Sequence, residues 1–204
     1  MPSTKDKILE ASLRLLNERG LKQTTLKLIA DDVEISVGNL AYHYKNKAEI
    51  IAAHDQILEE RLKETLSHFR NYPHFLDFHI QLEHIWQLLT TYQYVFCNLG
   101  EMKILYPASF QLVEDFYAKL TAQITHRLQF HIDREKIDLE HGDYIDSLPE
   151  RITRFILTVP ISNLFSKNHS RTAFFCEVWH FIRPVLNQSG KEEWNLLISP
   201  ALIS

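Results

Sequence analysis

The sequence predicts an all-α protein, and three observations carry that expectation. Apolar residues recur at a helical period through nearly all of the 204 residues. No stretch alternates apolar and polar residues as a half-buried strand would, and no internal repeat is present. Residues 29–47 hold two brief helical patterns joined by a tight polar turn, directly after the amphipathic run Lys5–Arg19. Three short helices, the last small and glycine-bearing, have the form of a helix-turn-helix module whose final helix enters a DNA groove.

Each element follows from local chemistry. In the first helix Ile8, Leu9, Ala11, Leu13, Leu15 and Leu16 supply the apolar face, and Gly20 is a natural C-terminal stop. Thr24 or Thr25 can cap the second, with Leu26, Ile29, Ala30 and Val33 turned inward. Ser36 can cap the third, which buries Leu40 and leaves Val37, Asn39, Tyr42 and His43 outward. Asn46 followed by Glu49 resembles a capping box. It opens a long fourth helix striped by Ile50, His54, Ile57, Leu58, Leu62, Leu66 and Phe69.

Pro73 suits the first turn of a fifth helix running to Leu99–Gly100, apolar nearly all round and so expected in the interior. A short sixth element covers Glu101–Leu105. Pro107 then opens a long helix with Val113, Phe116, Tyr117, Leu120, Ile124 and Leu128 on one side. Residues 132–147 carry six Asp or Glu against two Arg or Lys and are expected as an exposed, irregular connection. Two more helices follow, about Pro149–Lys167, bent near Pro160, and about Ser170–Leu186. The tail after Gly190 shows no period. About nine helices result, divided into an N-terminal domain over residues 1–47 and a larger helical domain over residues 48–204.

Composition narrows the setting. A hydrophobic content of 45% supports a true core. Cys97 and Cys176 both sit in apolar helical patterns, as buried thiols in a reducing cytoplasm would. Met1–Asp6 runs straight into an amphipathic helix, unlike a secretory leader. The longest stretch free of Asp, Glu, Lys and Arg, His84–Gly100, is too short and too polar to span a bilayer, so no membrane partner is expected. The net charge of −4 is unevenly spread: residues 1–47 carry +2 and residues 48–204 carry −6. A mildly basic end on an acidic body approaches a polyanion with that end only.

Spacing argues against other chemistries. The chain has eleven histidines, yet His79 and His84, like His126 and His131, stand five apart, about 140° round a helix, so neither pair shares a metal ion. There is no phosphate-cradling glycine loop, nucleophile elbow or H-E-x-x-H. The expectation is no metal, no cofactor and no enzyme activity. Aromatic residues concentrate between residues 85 and 117, the best region for a ligand pocket, with Trp86, Tyr94, Phe116 and Tyr117 as its candidate lining. The last two helices carry Ile152, Phe155, Ile156, Val159 and Leu164, then Phe174, Phe175, Val178, Phe181, Ile182 and Val185. That exceeds what one-sided packing needs; the chain's own core could absorb some of it, and a two-fold four-helix interface at Phe155, Phe174, Val178 and Phe181 fits better.

Thr25, Ile29-Ala30, Ile35-Ser36, Gly38, Leu40, Tyr44 and Lys47 stand at the spacing of the tetracycline-repressor (TetR) family, which residues 5–51 resemble. The resemblance implies a homodimeric repressor on a palindromic operator in double-stranded DNA, with a small-molecule effector held by the larger domain. The DNA-facing set is then Thr25, Ser36, Val37, Gly38, Asn39, Tyr42, His43 and Lys47. Thr25 and Lys47 would contact phosphates, Gly38 would allow close approach, and Tyr44 is expected to pack against the first helix. Two positions depart from the family pattern. Glu34 replaces the usual turn glycine, and Ala41 stands where a phosphate-contacting tyrosine is usual, with Tyr42 turned about 100° away on the helix. An activator or architectural DNA binder without a working effector pocket is the alternative.

Overall fold

The computed structural model describes residues 3–67, 73–165 and 170–197. Phe69, Lys167 and the side chain of Leu164, all used above, lie outside the described residues. Eleven α-helices occur among them: α1 (Thr4–Gln23), α2 (Leu26–Asp32), α3 (Val37–His43), α4 (Lys47–Ser67), α5 (Phe75–Thr91), α6 (Gln93–Cys97), α7 (Leu99–Leu105), α8 (Pro107–Asp133), α9 (Gly142–Phe165), α10 (Arg171–Ile182) and α11 (Gln188–Leu197). Short 3-10 turns lie at Leu139–His141 and Arg183–Val185. Among the described residues there is no strand, and no helix is long and apolar enough to cross a membrane. The helices form two compact units, Met1–Arg61 with Thr91–Glu114, and Leu62–Thr90 with Asp115–Ser204.

In the first unit α1, α2 and α3 close around Ile8, Leu15, Ile29, Ala30, Leu40, Tyr44 and Ile50. Hydroxyl caps set each start: Ser3, Thr25 and Ser36 accept from the amides of Asp6, Leu28 and Asn39. Asn46 accepts from the Glu49 amide at 3.0 Å, and the Glu49 carboxylate accepts from the Lys45 amide at 2.8 Å, so α4 starts as expected. Ile57, placed on its apolar stripe, is instead 36% exposed.

The turn between α2 and α3 keeps the shape that glycine usually supplies. The Ile35 amide donates to the Ala30 carbonyl at 3.0 Å, a Schellman closure, and Glu34 sits at φ 59. A side chain in this left-handed region costs on the order of 1 kcal/mol, which the closure imposes on Glu34. Glu34→Gly should therefore raise stability by about 1 kcal/mol, read as a higher denaturation midpoint. Gly20, at φ 77 and ψ 175, is the position where α1 leaves helical geometry before Leu21 turns into the core.

The expected long fifth helix is broken. It ends at Thr91, and α6 and α7 follow as separate short helices. A side chain distant in sequence explains the break: Asn17 on α1 donates to the Thr91 carbonyl and accepts from the Tyr94 amide, both at 2.9 Å. One amide group thus satisfies a carbonyl and an N–H that a continuous helix would have used internally. Expected as interior, α5 also presents Leu76 and Ile80 at 40% and 44% exposure.

The second unit is packed on Phe78, Leu82, Phe116, Ile156, Phe174 and Trp179. A buried polar chain runs through it. Arg127 donates to the His74 carbonyl and to Gln81 Oε1, each at 3.0 Å, and the Gln81 amide donates to Gln123 Oε1 at 2.7 Å. The acidic connection is shorter than expected, because α8 runs to Asp133 and α9 already begins at Gly142. Ile137 is buried and bridges to Leu186, while Asp138 caps the 3-10 turn, so this segment is anchored rather than irregular. α9 continues through both Pro149 and Pro160. The tail without period forms α11: Asn187 accepts from the Gly190 amide at 2.9 Å, and a Cβ at Gly190 would meet the Lys136 carbonyl oxygen at 2.2 Å. Cys97 and Cys176 are free and half-buried, not buried as expected.

Candidate nucleic-acid interface

α3 is seated by one residue. Leu40 is fully buried, and around it Val37, Gly38, Asn39 and Tyr42 stay exposed, Val37 at 43% and Tyr42 at 87%. The Ser36 hydroxyl fixes the first turn through the Asn39 amide at 3.1 Å, leaving the Asn39 side chain on the exposed face. A Cβ on Gly38 would meet nothing closer than the Ser36 hydroxyl at 3.8 Å, so the protein's own packing does not require glycine there. His43 is half-buried with its ring edge-on to Tyr42, 5.4 Å between centroids. Ala41 is half-buried, so the tyrosine next to it is the one that projects.

The remaining candidates are tied into the frame. Thr25 caps α2 with its hydroxyl. The Lys47 ammonium donates to the carbonyls of Leu21 at 2.5 Å and Thr24 at 3.2 Å, holding the C-terminal end of α1 where carbonyls accumulate negative charge. Tyr44 is 4% exposed in the core cluster, packed as expected, with the Lys5 ammonium 5.6 Å from its ring centroid. Sequence reasoning missed both the Lys47 clasp and the Asn17 bridge. Helical periodicity reports which face a residue occupies, and neither contact depends on that.

Beneath this surface Ser12 and His54 form a buried pair at 2.9 Å. Ser12 gives its hydrogen to the Leu9 carbonyl at 2.9 Å, so His54 Nε2 is the donor. Burial lowers its pKa from the ordinary 6.5 to about 4. Between those values the unfolded chain binds the extra proton. Stability should be intact above pH 6.5 and fall by about 3 kcal/mol as pH drops toward 4. Urea midpoints across that range check this, and His54→Gln should flatten the dependence.

The other candidates separate. Tyr94 and Phe116 are buried, whereas Trp86 and Tyr117 are half-buried. Phe174 and Val178 are fully enclosed by the chain's own core and present nothing to a second copy. Phe155 and Phe181 are half-buried and, with Tyr144, Glu177 and His180, line an open, mainly apolar cleft of about 320 Å³ on α9 and α10. Among the described residues no group of three or more His, Cys, Asp or Glu is placed to hold a metal ion.

A three-helix module with an exposed short third helix, followed by further helices, has the helix-turn-helix architecture. Residues 8–54 match the family of bacterial regulatory proteins named for tetR. A TetR-family transcriptional regulator from Marinobacter aquaeolei VT8 superposes with a TM-score of 0.79 at 25% identity, covering 96% of this chain and 97% of that one. The HTH-type transcriptional repressor KstR2 of Mycolicibacterium smegmatis is 36% identical over 76 residues, 37% of this chain and 34% of that protein. IcaR of Staphylococcus epidermidis, the HTH-type negative regulator of the biofilm operon icaADBC, is 28% identical over 61% of each chain. These matches span less than two thirds of either curated relative's length. Residues 8–54 thus carry the N-terminal module of the tetR family, and the chain as a whole has the fold of a TetR-family transcriptional regulator.

Proposed function

We propose that the protein is a homodimeric repressor that binds a palindromic operator through α3 and releases it when a small molecule binds. The observation that carries the DNA reading is the exposed face of α3: Val37 and Tyr42 stand free of the fold beside a glycine the fold does not need. Val37 packs on a thymine methyl, Asn39 pairs with an adenine edge, and Gly38 brings the backbone close. Tyr42 takes a groove or backbone contact in place of the tyrosine missing at Ala41. Thr25 contacts a phosphate, as does Lys47 with whatever its ammonium has left after the two carbonyls. Repression accords with the printed descriptions of KstR2 and IcaR. A protein of the same fold, SmeT, has been solved with triclosan. To change operator occupancy a hundredfold, an effector must favour the non-binding state by about 2.7 kcal/mol. Phe155 and Phe181 support a two-fold interface along α9 and α10.

Selecting bound duplexes from a random pool with the purified protein tests this directly; failure to enrich any symmetric site at low salt removes the DNA reading. Two variants then sort the roles. Asn39→Ala should relax base preference and leave the melting temperature unchanged. Lys47→Ala should weaken matched and scrambled duplexes alike, reduce the salt slope by about 1, and lower the melting temperature because two carbonyls lose their donor.

A further inference from the structure

Three buried polar atoms of the first unit have no hydrogen-bond partner among the described residues: the Tyr44 phenol oxygen in the three-helix core, and Asp55 Oδ1 on α4 together with the Tyr94 phenol oxygen on α6. Tyr94 is 2% exposed. The other oxygen of Asp55 accepts from the fully buried Ser109 hydroxyl at 2.8 Å, which fixes the carboxyl and leaves Oδ1 unused. The two groups sense each other, because burial first and then the Asp55 charge raise the Tyr94 pKa. Orphaned groups of this kind destabilise a fold, and phenylalanine at 94 would serve packing better. Where two of them influence each other, as Asp55 and Tyr94 do, one ligand can supply both missing partners.

We propose that Asp55 and Tyr94 anchor an effector within the first unit, and that this effector is a small organic ammonium ion carrying a hydrogen-bond acceptor near its nitrogen. Oδ1 accepts from an N–H, and its negative charge selects a cation over a neutral or anionic analogue. The phenol donates, so the ligand must offer an acceptor beside that nitrogen. The aromatic surroundings suit a cation: Tyr92 already has the Arg61 guanidinium 5.8 Å from its ring centroid. Half-buried Asp55 is the side from which a ligand enters.

Both anchors adjoin contacts to α1. His54, next to Asp55, donates to Ser12, and the Tyr94 amide donates to Asn17. An occupant that moves either anchor moves the first helix of the DNA-binding module. This deepens the reading of the chain as a ligand-released regulator, and rests on it.

The test titrates the full-length protein by calorimetry, without DNA, with ethanolamine and 2-amino-1-phenylethanol. Matched controls are 1-phenyl-1,2-ethanediol, which is neutral, and mandelate, which is an anion. At least one amine should saturate, each control should bind at least about tenfold more weakly, and Asp55→Asn should erase that preference. Tyr94→Phe should weaken the amine while leaving the ligand-free melting temperature unchanged or higher. The bound amine should also weaken operator binding by at least about tenfold in a separate anisotropy assay. No saturation by either amine, equal binding of the diol, or amine binding untouched by Asp55→Asn overturns the site. A lower melting temperature for Tyr94→Phe does so too, since the hydroxyl would then be bonded within the fold. An amine that binds without altering operator affinity overturns its role as effector. Failure of the ligand-free protein to bind DNA sinks the regulator reading alone, because the calorimetry stands apart from it.

Discussion

Gly38→Val should leave the protein folded and reduce operator affinity about a thousandfold. In the free chain the added Cβ has 3.8 Å to its nearest neighbour, and the position is exposed. Valine is also a better helix former than glycine by a few tenths of a kcal/mol, so the melting temperature should hold or rise slightly. On DNA the branched side chain would stand between α3 and the base edges. Losing that close approach returns the complex toward non-specific binding, which is weaker than specific binding by about 10³ or more. Anisotropy titrations with operator and scrambled duplexes check this: operator affinity should collapse onto the scrambled value. An unaltered operator affinity would place some other face of the module against DNA.

Phe174→Ala should cost about 3–5 kcal/mol, whereas Phe181→Ala should cost well under half of that. Phe174 is fully buried, with the rings of Trp86 and Phe175 both 5.3 Å away and that of Phe155 at 6.2 Å. Truncation leaves a cavity that these rings cannot close by small shifts. Phe181 lies half-buried on the cleft lined by Phe155, Tyr144 and His180, so its removal opens no enclosed void. The contrast reverses for assembly. Phe181→Glu should produce a folded monomer by light scattering, since a charge on the proposed interface loses its water in the dimer. A stable dimer from that variant would move the interface elsewhere.

The N-terminal module was legible because its determinants are local. Ser36, Thr25 and the Asn46–Glu49 pair each act within three or four residues, and Leu40 is the single inward residue of a seven-residue helix. Glu34 holds the conformation expected of glycine because the Ile35–Ala30 hydrogen bond outweighs a strain of about 1 kcal/mol. What the sequence hid depends on partners far along the chain. Apolar periodicity runs on through residues 73–100, yet Asn17 interrupts it. Charge made residues 132–147 look unstructured, although Ile137 fastens them to Leu186 and α11 follows from Asn187. Apolar spacing likewise cannot tell Phe174, enclosed by its own chain, from Phe181, which reaches the surface.

The Asn17 bridge bears on how defective alleles would be distributed. For the ligand-released repressor proposed above, a screen for constitutive expression would recover changes on α3, but Asn17 should score as well. Hydrophobic replacements there would unlatch the Thr91–Tyr94 corner and loosen the first helix together, mimicking the proposed induction with nothing bound.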